Sequence, residues 1–355
     1  MYPVDRIMQG SALAVRRKQR IVSSSDRVNV DYEWGKLEEA IVGVSTDVVV
    51  AQWHEPYHST FGSQVNDWYR RYGGQRLDAF DPDLAARMIW QQDQLAQMLK
   101  HLGVVVHRVD DLARSKDRTF LTDLGEGMFS FPRDPMLVVG TEVIETSPKH
   151  LWRRRERYAI RAVLDHVLPQ ADQPELQWLS VPPPSSDRPS IEDSPATSGP
   201  FLEGGDVLLL GDELLVGRSG YATDERGVNW LKSHLRGRRK VSEVRLTKDA
   251  FHLDCALAVP RPGLAVVYPP AFLDPLPGLI RDWDFIEVSG EEQQSMATNF
   301  LIVDESRVIC DERHTRLTSE LEKRGIEVLQ IPFDGPAVFG GGLRCSHHPL
   351  RRTTS

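Results

Sequence analysis

Cysteine is scarce in this chain: there are 3 in 355 residues, at positions 255, 310 and 345, and no two share a CxxC spacing. An odd number at those separations excludes a disulfide framework and a zinc ribbon, so each thiol needs its own explanation. Long apolar runs are missing as well. No stretch approaches the roughly 18 apolar residues of a membrane-spanning helix. The opening MYPVDRIMQGSALAVRRKQRIVSSS carries basic residues but no continuous apolar segment of a secretory signal. Basic excess is also absent: 43 Lys and Arg against 51 Asp and Glu give a formal net charge of −8, the wrong sign for a nucleic-acid footprint. These absences lead us to expect a cytoplasmic protein whose partners are small molecules, with neither nucleic acid nor membrane among them. A homodimer is left open.

What is present is a hydrophobic content of 40%, enough for a substantial core, and a recurring unit. The unit is strand, turn, strand, helix, strand. Its opening hairpins are expected at EEAIVGVSTDVVVA (38–51), PMLVVGTEVIET (135–146), DVLLLGDELLVG (206–217), CALAVPRPGLAVV (255–267) and NFLIVDESRVICD (299–311), each with a turn rich in Gly, Asp, Ser or Pro. Helical periodicity follows at 84–103, 150–168, 222–237 and 313–325. A third strand closes each unit at 104–109, 176–181, 242–247, 284–289 and 326–331. The fourth unit is weakest, since PPAFLDPLPGLIRDW (269–283) is too rich in proline for a long helix. Five units of this kind predict an α/β fold, a five-bladed pseudo-symmetric propeller of ββαβ units closed into a ring. Residues 1–27 read as a flexible tail, 28–355 as one catalytic domain, and the Pro- and Ser-dense stretch 182–200 as a surface loop or lid.

Polar groups recur just ahead of the hairpins, in FPRDP (131–135), FLEGGD (201–206), FHLDC (251–255) and SMATN (295–299). If the first strands line the centre of the ring, Asp134, Glu203 with Asp206, His252 with Asp254, and Asn299 converge on one axial pocket. GGGLRC (340–345) brings Cys345 to the same centre. Taken singly, each has a plainer reading: a turn aspartate with a surface ion pair, loop carboxylates around a glycine turn, a satisfied core histidine. His252 and Asp254 alternate along what reads as an extended segment and so would share a face. Cys255 and Cys310 read as core thiols. Cys345 with His347 or His348 lacks the further ligands of a tetrahedral metal site, and the glycine run has no lysine or following helix to cradle phosphate; neither metal nor organic cofactor is expected.

A thiol, an imidazole and several carboxylates suit nucleophilic attack on a planar cationic carbon, and the guanidinium group is such a target. Asp134 and Asp254 would bind its edges over Cys345. His252, oriented by Glu203, would act as acid and base in a two-step covalent route.

The segments YEWGKLEEAIVG (32–43), PRDPMLVVGTEVIETSPKHLWRRRERYAIR (132–161), GRSGYATDERGVNWLKSHL (217–235), FHLDC, NFLIVDESRVICD and GGGLRC resemble the guanidino-group modifying enzymes, and among them the arginine amidinotransferases. The resemblance implies the pentein fold, Cys345 as nucleophile, His252 as proton carrier, Glu203 as its partner, and Asp134 and Asp254 on the guanidinium. It implies transfer of the amidino group of arginine to an amine through an amidino-cysteine, with release of ornithine. EGGD, by contrast, is similar to arginine deiminases and dimethylarginine hydrolases, which release citrulline and ammonia or a related urea. A third reading is a non-catalytic propeller that binds a partner. The segment 266–276 lacks the arginine expected to hold the donor's carboxylate, which leaves Arg153 or Arg218 for that task.

Overall fold

A computed structural model describes residues 27–53, 63–109, 127–170, 173–183 and 199–353. The expected tail and lid lie almost wholly outside the described residues. Strands β1 (Lys36–Val42) and β2 (Val44–Val49) lead through helices α1 (Ser63–Tyr72), α2 (Leu77–Phe80) and α3 (Pro82–His101) to β3 (Val105–Arg108) and β4 (Gly127–Phe129). The next unit is β5 (Met136–Val139), β6 (Glu142–Glu145), α4 (Leu151–Val167) and β7 (Gln177–Ser180). It is followed by β8 (Val207–Leu210), β9 (Glu213–Arg218), α5 (Glu225–His234) and β10 (Lys240–Arg245). Strands β11 (Leu257–Arg261), β12 (Leu264–Val267) and β13 (Asp284–Glu287) come next, then α6 (Gly290–Gln294). The chain ends with β14 (Leu301–Asp304), β15 (Arg307–Asp311), α7 (Thr315–Lys323), β16 (Glu327–Ile331), α8 (Asp334–Ala337) and β17 (His347–Thr353).

Four of the expected hairpins form: β5 with β6, β8 with β9, β11 with β12 and β14 with β15, all antiparallel. Gly140, Gly211 and Gly263 sit in their turns with φ of 58°, 77° and 81°, a region that glycine enters without steric cost. The second strand of each hairpin then pairs parallel with the third strand of its unit. A parallel pairing needs a long crossover. Helices α4, α5 and α7 supply it in three units, whereas between β12 and β13 the prolines allow only a 3-10 turn at Pro269–Ala271.

The first hairpin is not one. β1 and β2 do not pair with each other: β1 lies between β17, antiparallel, and β3, parallel, while β2 pairs with β4. Gly43 alone separates them, and one residue cannot reverse a chain. Its N–H donates to Ser346 O at 2.9 Å, and a Cβ there would come within 2.2 Å of Ser130 O. The chain therefore runs on through Gly43 and changes partner. The strand that completes this sheet is the C-terminal one, with Val42 opposite His347 and Lys36 opposite Thr353.

Apolar side chains fill the layers between sheets and helices. α3 shows how its sequence builds one: Asp81 caps it by accepting the Leu84 N–H at 2.9 Å, Pro82 occupies the first turn, and Lys100 and His101 face the negative end. Its buried stripe includes Leu84, Met88, Leu95 and Leu99. The cap contributes about 1 kcal/mol, and truncating Leu95 to Ala would cost about 2–5 kcal/mol. Among the described residues no helix is long and apolar enough to cross a membrane.

Candidate active site

Each three-stranded sheet has one edge strand that is entered through a polar turn. Asp134 precedes β5, the 3-10 turn Gly204–Asp206 precedes β8, the 3-10 turn Leu253–Cys255 precedes β11, and Asn299 precedes β14. Cys345 precedes β17, so the fifth turn also leads into the edge strand of a three-stranded sheet, which HHPLRR, with its proline and charges, did not announce. His252 and Asp254 do not share an extended strand, as the alternation suggested. The Cys255 N–H donates to His252 O (3.2 Å) and that of Leu253 to Asp206 Oδ1 (3.0 Å), which folds the segment into a turn.

These turns bring the chemistry together. His252 Nε2 donates to Glu203 Oε2 at 3.0 Å, and its Nδ1 lies 3.7 Å from Asp134 Oδ1. Cys345 Sγ lies 3.6 Å from Asp254 Oδ2, and Cys255 Sγ lies 3.6 Å from Oδ1 of the same carboxylate. Asp134, Glu203, His252, Asp254 and Cys345 are all buried. EGGD has a steric reason at Gly205, where a Cβ would sit 2.6 Å from His252 Nδ1 and 2.7 Å from Asp134 Oδ1. Asp206 accepts the backbone N–H groups of Leu253 and Thr223 and so ties two turns to each other. Asn299 Oδ1 accepts from the N–H groups of Cys345 (3.0 Å) and Gly342 (3.2 Å), which fixes the Cys345 turn.

The two arginines named for a substrate carboxylate are placed differently. Arg153 is buried, with Nη1 on Asp134 Oδ2 at 2.8 Å and its other nitrogens on Glu156. Arg218 is half-buried, donates to Glu243 at 2.6 Å, and lines an open cleft of about 490 Å³ with Lys149, Phe201 and Thr223. Lys149 joins that cleft to the cluster, because its backbone N–H donates to Glu203 Oε1 at 3.0 Å.

Sequence reasoning missed Glu33 and Arg344. Arg344 is buried and donates Nε and Nη2 to Glu33 at 3.1 and 3.0 Å, Nη1 to Asp254 Oδ2 at 2.8 Å, and Nη2 also to Val207 O. Its place next to Cys345 in GGGLRC and the glutamate in YEWG were visible, but their pairing across the chain was not.

The electrostatics follow from burial and from these partners. Burial opposes a charge on His252, yet Asp134, Asp206 and Glu203 outweigh it and push the imidazole up to about 10, so it is an imidazolium at neutral pH. Burial, then Asp254 and Asp134, push the Cys345 thiol well above its ordinary value, and Arg344 only partly opposes them. Burial also raises Asp206 to about 7 and Glu156 to about 8. Asp134 is lowered: burial works against its charge, but His252 and Arg153 prevail. Ligand atoms of Asp134, Glu203 and His252 all lie within 4.8 Å of one another, close enough to hold a metal ion, and two of the three, His252 and Glu203, are bonded to each other.

A family model described as arginine deiminase matches residues 280–352. An L-arginine:L-lysine amidinotransferase of Pseudomonas savastanoi pv. phaseolicola is 28% identical, covering 90% of this chain and 93% of that protein. A Streptomyces griseus protein assigned as inosamine-phosphate amidinotransferase 2 is 30% identical over 92% of this chain and 97% of its own length. Among solved structures, the saxitoxin-pathway amidinotransferase SxtG of Microseira wollei superposes with a TM-score of 0.73 at 24% identity, covering 93% of this chain and 98% of that one. With the α/β sheets and the buried cluster described above, these likenesses assign the chain: it belongs to the amidinotransferases, enzymes of the pentein fold that transfer amidino groups.

Proposed function

We propose that the chain takes the amidino group of L-arginine onto Cys345, releases ornithine, and passes the group to an amine. The observation that carries this reading is the contact of Cys345 Sγ with Asp254, in one buried cluster with Asp134, His252 and Glu203. The Pseudomonas relative's name pairs arginine with an amine-bearing amino acid, which supports arginine as donor here. A carboxylate offers about four lone-pair positions. Asp134 and Asp254 have each given some to Arg153 or Arg344 and retain capacity for a substrate N–H. Each such charge-assisted bond is worth about 1.5–3 kcal/mol. Arg218, on the cleft wall, is the proposal's partner for the donor's carboxylate.

The site's charges give the order of events. With the site empty, Cys345 keeps its proton because two carboxylates face it. A bound guanidinium offsets their charge, and the thiol gives its proton to solvent, since His252 already carries one. The thiolate adds to the guanidinium carbon; the His252 imidazolium then gives its proton to the departing nitrogen as the carbon–nitrogen bond breaks, leaving ornithine and an amidino-cysteine. The neutral His252 next takes a proton from the incoming amine. That amine adds to the same carbon, the carbon–sulfur bond breaks, and Cys345 leaves as the thiolate, which regains a proton from solvent when the product departs. Glu203 holds the imidazole in place through both halves. We take residues 28–355 as one catalytic domain in the cytoplasm; the pairing of β17 with β1 supports its closure into a ring.

Water as the second nucleophile is the competing reading, favoured by EGGD and by the deiminase match at 280–352. Incubation with arginine, with and without a panel of amines, separates the two. Ornithine that forms only with an acceptor, together with a new guanidino compound, supports transfer from arginine; citrulline and ammonia from arginine alone overturn it.

A further inference from the structure

The proposed mechanism leaves unused a buried cation at the site, Arg344, that makes four hydrogen bonds. Arg344 reaches three parts of the chain that are distant in sequence: Glu33 ahead of β1, Val207 at the start of β8, and Asp254 ahead of β11. Its Nη1 bonds the same Asp254 oxygen, Oδ2, that faces Cys345 Sγ. Two nitrogens on Glu33 and one on Asp254 form a planar fork, a geometry that guanidinium supplies and ammonium does not. We propose that Arg344 is a positioning residue for the transfer reaction, fixing the Asp254 carboxylate against Cys345, and that Glu33 sets how much of its positive charge reaches that carboxylate. The inference rests on the reading of Cys345 as nucleophile and Asp254 as a guanidinium ligand.

The groups facing Cys345 from the packed elements are Asp254 and Cys255 ahead of β11, Asp134 ahead of β5, Asn299 ahead of β14, and Arg344 on its own turn. Asp254 and Asp134 favour the protonated thiol; Arg344 favours the thiolate and is restrained by Glu33. Removing the Glu33 charge while keeping its shape frees more of Arg344's charge for the site. Removing the charge of Arg344 does the opposite and also lets Asp254 turn.

The test uses the full-length enzyme and reads Cys345 alkylation by iodoacetamide against pH, peptide by peptide, so that Cys255 and Cys310 do not contribute. Thermal melting follows the fold, and kcat and KM for arginine are measured separately. Glu33→Gln is expected to move the ionisation midpoint of Cys345 to lower pH. Because nucleophilicity falls as basicity falls, a tenfold gain in thiolate appears as about a threefold faster reaction at neutral pH. Arg344→Gln should move the midpoint up and lower kcat by at least about tenfold, with Arg344→Lys recovering the midpoint more than the kcat. If Arg344→Gln does not fold, Glu33→Gln decides alone. A purely structural role predicts lower melting temperatures with unmoved midpoints, and that result overturns the inference. If arginine instead leaves no adduct on Cys345 in the unaltered enzyme, the underlying reading fails.

Discussion

If the carboxylate of Asp254 holds the proton on Cys345, deleting its charge must make the thiol more reactive even as it destroys turnover. Asp254→Asn is the perturbation, nearly isosteric at a side chain that is fully buried. Asp254 Oδ2 lies 3.6 Å from Sγ. Two unit charges near 4 Å interact by about 4 kcal/mol at an effective dielectric constant of about 20. Losing that repulsion raises the thiolate population by about a thousandfold at a pH below the midpoint. Arg344, left with Glu33 as its carboxylate partner, acts in the same direction. A more acidic thiol is a weaker nucleophile, with a Brønsted slope of about 0.4–0.5, so the net gain in alkylation rate is about thirtyfold. The assay is the rate of Cys345 carbamidomethylation by neutral iodoacetamide at pH 7, with transfer activity measured in parallel. Faster alkylation with lost transfer is the expected pair. Unchanged or slower alkylation in a folded variant would refute the claim that Asp254 suppresses the resting thiolate.

Other predictions concern His252 and its surroundings. Burial opposes the charge on His252, but its carboxylates raise it to about 10 from an ordinary 6.5. The folded state therefore binds a proton that the unfolded chain has released, and the stability this gives is full below about pH 6.5 and is lost as pH rises through about 10. Asp206, raised to about 7, and Glu156, raised to about 8, act with the same sign over lower windows that end near pH 7 and pH 8, so above pH 8 the slope is that of His252 among these three. Melting temperature should therefore fall steadily from pH 6.5 to 10, less steeply in His252→Gln; a flat profile would contradict the buried imidazolium. Gly205→Ala places a methyl group 2.6 Å from His252 Nδ1 and should cut kcat by about a hundredfold or more with little loss of fold, measured by steady-state kinetics and circular dichroism.

Four hairpins were legible because their turns carry glycine or Asp and Ser beside apolar runs, and Gly140, Gly211 and Gly263 do take the left-handed conformation that such turns need. The first sheet was not legible. Its central strand β1 finds its antiparallel partner at the far end of the chain, and no local pattern encodes that pairing. HHPLRRT looks like a polar tail, yet His347, His348 and Arg352 are buried. At the site, a repeated position in the unit pointed to Asp134, Glu203, His252, Asp254 and Cys345, and the structure gathers them. Charge letters alone could not say which cations were already engaged. Arg153 bonds Asp134 and Glu156, and Arg344, next to Cys345 in sequence, bonds Glu33 across 311 positions.

The central claim is that Cys345 carries the amidino group between donor and acceptor. The most direct measurement is mass spectrometry of the enzyme quenched after brief exposure to arginine without an amine. The account predicts a mass gain of one amidino group on the peptide containing Cys345, lost on adding an acceptor and absent from Cys345→Ser. Turnover of arginine in Cys345→Ser, or an adduct on any other residue, would contradict it.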